Sequence, residues 1–141
     1  MSRMQPLLDR YGESHRNPVN KAIHWICVPL ITWSILAALW AWTPVAAFAL
    51  VALALGFYVS LSPPLALGML GVTLVLLAPL AYIHSGLLLA AAIVFVVAWI
   101  GQFVGHHLEG RKPSFLEDLK FLLVGPAWLL AFVYRRLRIG Y

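Results

Sequence analysis

The sequence has few charged residues, and its middle has none. Of 141 residues, 10 are Lys or Arg and 5 are Asp or Glu, and all of them fall within residues 3–21, 109–120 and 135–138. No formal charge lies between Lys21 and Glu109, and 62% of the chain is hydrophobic. A soluble fold of this size could not bury so much apolar surface. The composition therefore excludes a soluble globular protein and predicts an integral membrane protein.

Other absences narrow the function. Cys27 is the only cysteine, so an intrachain disulfide is excluded. The basic residues form no extended face, which argues against a nucleic-acid partner, and the net charge of +5 suits anionic lipid headgroups or an acidic lipid substrate. The chain also lacks a Gly-rich nucleotide fingerprint, a diphosphate cradle and a Ser-His-Asp arrangement.

The charge-free block divides into four apolar stretches separated by short Pro- and Ser-containing connections. A transmembrane helix needs about 20 apolar residues. We therefore predict a single membrane domain over residues 1–141, with an N-terminal segment (1–21), four spans (22–104) and a C-terminal region (105–141). The predicted span cores are Trp25–Trp42, Val45–Leu61, Leu65–Tyr82 and Gly86–Val104.

The C-terminal region is predicted to enter the membrane without crossing it. Its apolar stretch Phe121–Tyr134 is too short for a span. Ser114 and Glu117 match a capping box, and Gly125-Pro126 is expected to break the region into two helical pieces. The predicted fold class is an all-α integral membrane protein with four transmembrane helices plus a C-terminal re-entrant or interfacial helical hairpin.

Four spans return the chain to the side where it began. The N-terminal segment and the 109–120 loop both carry basic residues, and the loops predicted for the opposite side carry none. The positive-inside rule then places both termini in the cytoplasm, in a bacterial inner membrane or in the endoplasmic reticulum membrane of a eukaryote. Homo-oligomerisation stays open.

Two polar stretches border the apolar block on this same side. The first contains Tyr11, His15, Asn20 and His24, and Asn17-Pro18 is a helix-start signal within it. Asn20 and His24 are four residues apart and share a helix face. His84 lies in the third connection, about 30 Å away across the membrane, and is excluded from any shared site.

The second polar stretch follows the fourth span. At helical spacing Gln102, His106 and Glu109 form one stripe, and His107 is turned about 100° from it. Three or four histidines plus a carboxylate suit zinc or non-haem iron. Arg111 and Lys112 could bind a substrate carboxylate or only anchor to lipid phosphate. The histidines could also do no more than stabilise helix ends.

These stretches read Tyr11-x3-His15-x4-Asn20-x3-His24 and Gln102-Phe-x-Gly105-His106-x2-Glu109-Gly-Arg-Lys-Pro113. In this order, around a charge-free helical block, they resemble the 2-hydroxy fatty acid dioxygenase family. That family of small multi-pass membrane proteins includes the fungal enzyme of phytosphingosine breakdown. The resemblance covers nearly the whole chain.

The resemblance implies Fe(2+)-dependent α-oxidation, in which O2 reacts with a 2-hydroxy long-chain fatty acid and the acid is shortened by one carbon. It implies metal ligation by His15, His24 and His106, with His107 and Glu109 as further candidates. Glu109, Gln102, Asn20 and Tyr11 are then expected to orient groups or move protons, and Arg111 and Lys112 to complement the substrate carboxylate. The alternatives are a non-enzymatic scaffold or small transporter, a Zn-dependent lipid hydrolase, and a histidine-box di-iron enzyme. The five histidines are few for the last of these.

Overall fold

The computed structural model describes residues 2–141, and these form only helices, turns and loops. The predicted all-α fold class is confirmed. Six α-helices follow one another with two 3₁₀ turns between them: α1 Gln5–Glu13, α2 Pro18–Trp42, α3 Pro44–Leu61, α4 Pro63–Leu77 with the 3₁₀ turn Ala78–Tyr82, α5 Leu87–Glu109, the 3₁₀ turn Ser114–Leu116, and α6 Phe121–Leu137.

Four helices are long and apolar enough to cross a membrane, as predicted: α2, α3, α4 with its 3₁₀ continuation, and α5. Large apolar side chains on them face outward, including Leu53 and Val75, which are 74% and 73% exposed. Such exposure suits a lipid environment, where outward apolar side chains carry no hydration cost. We call the end of this bundle at which α2 begins and α5 ends the polar end.

The ends of α2 and α5 have local causes in the sequence. Asn17 caps α2 by accepting a hydrogen bond from the Val19 amide at 2.9 Å, and Pro18 occupies the first helical position, which confirms the predicted start. α5 stops because Gly110 adopts a left-handed φ of 71°, and the Arg111 amide then bonds back to the His106 carbonyl.

Two glycines bring α5 close to α2. Gly101 and Gly105 are four residues apart on α5 and face α2. A Cβ on Gly101 would lie 2.6 Å from Cys27 Sγ, and one on Gly105 would overlap Asn20 Oδ1. Small residues at this spacing allow close helix approach in membranes. The approach sets the distance between the polar side chains of the two helices.

The C-terminal hairpin prediction is wrong in one respect, because α6 runs unbroken through Gly125 and Pro126. An interior proline costs a helix about 3 kcal/mol. The helix packs closely against Tyr11 at this point, since a Cβ on Gly125 would lie only 2.9 Å from the Tyr11 hydroxyl, and tertiary packing of this kind can offset the cost. α6 starts beside Tyr11, and near its end the Tyr134 hydroxyl donates to the Pro64 carbonyl. Both ends thus lie at the polar end, and α6 makes no fifth crossing.

Two further features of the polar end differ from expectation. The Ser114 capping box does not form: the Glu117 carboxylate pairs with Arg10 at 3.1 Å, the Glu117 amide bonds to the Ser114 carbonyl, and Ser114 Oγ has no partner among residues 2–141. The N-terminal segment contains a helix, α1, that was not predicted. Its buried residues Leu8 and Tyr11 pack on α6.

Candidate metal centre

Three histidines from separate parts of the chain meet at the polar end. His15 lies in the loop between α1 and α2, His24 lies on α2, and His106 lies on α5. Each is at least 95% buried, and each offers a ring nitrogen within 4.8 Å of those of the other two. The ring centroids of His15 and His24 are each 5.0 Å from that of His106.

Backbone contacts fix how two of these rings face each other. His15 Nδ1 lies 2.6 Å from the Tyr11 carbonyl, and His24 Nδ1 lies 2.9 Å from the Asn20 carbonyl. Because a carbonyl only accepts, both Nδ1 atoms must be the protonated donors. The two Nε2 atoms lie 2.8 Å apart. In neutral rings both would carry lone pairs aimed at one another.

The protonation state of His15 determines whether the two Nε2 atoms share a proton or are free to bind a metal ion. Burial lowers the pKa of His15 to about 4, and repulsion from His106 acts in the same direction. The hydrogen bond to Tyr11 and the Glu109 charge oppose this shift but are smaller. His15 is therefore neutral near pH 7, so two lone pairs face each other without a bridging proton. A cation between them would relieve their repulsion.

His106 provides separate evidence that the site fits a metal ion. His106 Nδ1 is buried and has no hydrogen-bond partner among residues 2–141. A buried polar atom without a partner costs about 1–3 kcal/mol unless a ligand satisfies it. Metal-bound histidines typically donate their other N–H to a carbonyl, as His15 and His24 do here. The donor set therefore fits a metal ion such as Zn²⁺ or Fe²⁺.

Glu109 holds the site together from its edge. Its two carboxylate oxygens accept from the Arg16 amide at 2.9 Å, from the Asn17 amide at 2.8 Å and from Asn20 Nδ2 at 3.0 Å. It joins the end of α5 to the start of α2, directly after His15. The carboxylate is thus occupied by amide donors and lies outside the histidine group.

Tyr11 and Asn20 also shape the site through contacts with the histidines. The Tyr11 ring stacks on His15, with centroids 4.2 Å apart, and burial raises the pKa of its hydroxyl. Asn20 donates to the Ser14 carbonyl at 3.1 Å, and so fixes the loop that carries His15. Both residues thus contact the histidines or the loop that carries His15.

Four other polar residues from the sequence analysis lie elsewhere. His107 is exposed and outside the buried histidine group, so its predicted ligand role finds no support in this arrangement. Arg111 and Lys112 are exposed and line a surface cleft beside His106. His84 is exposed beside Trp40, about 24 Å along α2 from His24.

Gln102 lies one turn before His106 and is 5% exposed. It lines a cavity of about 50 Å³ that also touches His24 and His106. Trp99 and Ser114 line the same cavity, although neither was predicted to belong to the site. The spacing of Trp99, Gln102 and His106 places them on one face of α5, and this signal could have identified Trp99.

Comparison with known families agrees with this geometry. The family model described as "2-hydroxy-palmitic acid dioxygenase Mpo1-like" matches residues 1–61 and 65–137. The chain belongs to this family. Neither a curated protein nor a solved structure matches the chain significantly.

Membership in the 2-hydroxy-palmitic acid dioxygenase-like family identifies a dioxygenase-like enzyme class and implies a fatty acid substrate. The matched residues include the loop that carries His15 and all of α2 and α5, which carry His24 and His106. The structure adds a buried group of three histidines within the matched residues, and this group could hold a metal ion.

Proposed function

We propose that this protein is an Fe(II)-dependent dioxygenase that shortens 2-hydroxy long-chain fatty acids by one carbon. The observation that carries the proposal is the facing pair of Nε2 atoms on His15 and His24, with His106 in the same buried group and its Nδ1 atom left without a hydrogen-bond partner among residues 2–141. Three neutral imidazoles without a ligating carboxylate leave coordination positions open for a substrate and O2. Family membership supports the choice of iron and of a 2-hydroxy acid.

The proposed reaction balances with O2 as the only oxidant. The bond between C1 and C2 of the 2-hydroxy acid breaks, C1 leaves as CO2, and C2 becomes the carboxyl carbon of the shorter acid. The substrate loses four electrons and O2 accepts them, so that the products are the shorter acid, CO2 and water. Bound Fe(II) would supply the redox and Lewis-acid chemistry for this step, held by His15, His24 and His106.

The residues around the histidines would prepare the site. The Tyr11 and Asn20 carbonyls hold the imidazoles in one tautomer, with their Nε2 atoms directed inward. Glu109 and Asn20 fix the loop that carries His15. Burial of all three rings excludes bulk water, which protects reactive oxygen chemistry from side reactions.

The acyl tail has an apolar route into the membrane. A second cavity of about 170 Å³ lies between α2, α4 and α6 and shares Val28, Thr32 and Pro126 with the first. Its remaining walls are almost wholly apolar. A substrate could therefore place its polar head beside the histidines and its tail toward lipid. We also propose that the polar end faces the cytoplasm, since the basic residues cluster there.

The experiment is a single-substrate assay on detergent-purified protein. With Fe(II) and 2-hydroxypalmitate in air, we expect the saturated acid one carbon shorter, measured by mass spectrometry, and none under nitrogen. His24→Ala should abolish the product, and His107→Ala should retain it. Equal product under nitrogen, or lipid hydrolysis by Zn-loaded protein without O2 consumption, would contradict the proposal.

A further inference from the structure

The cavity beside His24 and His106 is lined by three residues whose buried polar atoms have no hydrogen-bond partner among residues 2–141. Trp99 Nε1, Gln102 Oε1 and Ser114 Oγ are each buried, and none has a hydrogen-bond partner among residues 2–141. All three side chains line the same cavity. Gln102 and Ser114 are themselves 5% and 6% exposed.

Three unpaired polar atoms around one cavity indicate that a ligand binds there. Native proteins pair most buried polar atoms, because each unpaired one costs about 1–3 kcal/mol. Such atoms can be satisfied within the protein, as in Thr32, which lines the same cavity and whose hydroxyl donates to the Val28 carbonyl one turn earlier in α2 at 2.9 Å. The other three are left free on the cavity wall next to His24 and His106.

The chemical types of these atoms define what they would bind. Trp99 Nε1 only donates, the Ser114 hydroxyl can donate, and Gln102 Oε1 only accepts. The rest of the wall is mostly apolar and includes Val28, Ile31 and Phe121. The matching ligand is a lipid whose head combines an acceptor of two hydrogen bonds with a neighbouring hydroxyl donor.

We propose that Gln102 accepts a hydrogen bond from the 2-hydroxyl of the substrate, while Trp99 and Ser114 donate to its carboxylate. This inference rests on the proposed function and assigns the residues that select a 2-hydroxy acid over the unsubstituted acid. An acid without the hydroxyl leaves Gln102 unpaired in a buried site, and such losses produce strong discrimination. It also locates carboxylate recognition inside the cavity rather than at the exposed Arg111 and Lys112.

The test is equilibrium binding under nitrogen, where no turnover occurs. Radiolabelled 2-hydroxypalmitate and palmitate are titrated against the protein in detergent, as purified and after treatment with a chelator. We expect the wild type to prefer the hydroxy acid by about 10- to 100-fold in both preparations. Gln102→Leu should bring the ratio in the chelated protein close to one by weakening only the hydroxy acid. Ser114→Ala should weaken both acids equally.

The matched control is Thr32→Val, which alters the same cavity but removes a hydroxyl that is already paired. It should keep the wild-type preference. Because Gln102→Leu and Ser114→Ala remove unpaired buried groups, neither should lower the unfolding temperature of the ligand-free protein, whereas a structural role would lower it. The inference is overturned if the wild type shows no preference, or if Gln102→Leu retains it. Failure of O2-dependent turnover with the preference intact would reject only the proposed reaction.

Discussion

At the scale of single residues, the site depends on groups that position the histidines as much as on the histidines. Glu109 illustrates this, since sequence spacing places it on one stripe with His106 and the structure uses it to hold the start of α2. A carboxylate that receives three amide donors is a structural anchor, and each charged hydrogen bond contributes about 1.5–3 kcal/mol.

Replacing this anchor should weaken metal binding without removing a ligand. We expect Glu109→Ala to lower metal affinity by about 10- to 100-fold, because the loop that carries His15 loses its tie to α5. Competition with a chromophoric chelator measures the affinity. Glu13→Ala, an exposed carboxylate on α1, is the control and should bind metal as the wild type does. If Glu109→Ala binds metal normally, the anchoring role is wrong.

The protonation of His15 should make the metal-free protein sensitive to acid. Its folded-state pKa of about 4 lies below the ordinary value of 6.5, so the unfolded chain binds more protons between these values. The stability contributed by neutral His15 is complete above about pH 6.5, falls by about 3 kcal/mol as the pH drops to about 4, and changes no further below that. His24, His106, Glu109 and Lys21 all act on this ring.

The free energy of unfolding of protein treated with a chelator, determined at a series of pH values, measures this loss of stability. His15→Gln cannot titrate at this position, so its stability should fall less steeply between pH 6.5 and 4. Equal slopes for the wild type and His15→Gln would contradict the account. Added metal should steepen the wild-type profile, since protons compete with the ion for the imidazoles.

At the scale of helices, the contact between α2 and α5 determines the distance between His24 and His106. Gly105 is the closest point of this contact. We expect Gly105→Ala to lower the unfolding temperature and the metal content together, because the new methyl would displace Asn20. Gly71→Ala on α4 meets nothing within 4 Å and should be neutral or slightly stabilising. Thermal unfolding and bound-metal analysis provide the readouts. A Gly105→Ala protein as stable as Gly71→Ala would contradict this packing.

The helices show what the sequence could and could not predict. Uninterrupted apolar length defined the four spans, and Asn17-Pro18 marked the start of α2, because both signals are local. The continuity of α6 depends on packing of Gly125 against Tyr11, which lies more than a hundred residues away, and no local pattern contains that contact. α1 did have a local signal, in Met4, Leu8 and Tyr11 at helical spacing.

Some features of the candidate site could also be predicted from the sequence, and others could not. His15, His24 and His106 could be placed at one end of the bundle, because counting spans fixes which ends meet. Which groups turn inward could not be predicted, since His106 and His107 are adjacent and differ only in the direction each faces on α5. The position of Ser114 at the cavity could not be predicted for a related reason, because it depends on the loop after α5 folding back onto the cavity.

At the scale of the whole molecule, the apolar route predicts how chain length is sensed. Leu76→Trp would fill the cavity between α2, α4 and α6, whereas Leu74→Trp adds the same bulk on an exposed, 57% accessible position of the same helix. We expect Leu76→Trp to weaken binding of 2-hydroxypalmitate by about tenfold and to spare a short 2-hydroxy acid. Equal effects on both acids, or equal effects of both substitutions, would place the tail elsewhere.

We propose that the metal is held by three buried histidines, His15, His24 and His106, and not by their exposed neighbour His107. The most direct measurement is metal content per chain by elemental mass spectrometry after loading with Fe(II) under nitrogen, in wild type, His106→Ala and His107→Ala. The adjacent pair controls for the loss of an imidazole at this end of α5. We expect bound metal in the wild type and in His107→Ala. We expect His106→Ala to lose the metal while its unfolding temperature shows that it is still folded. Equal metal content in the two variants would contradict the proposal.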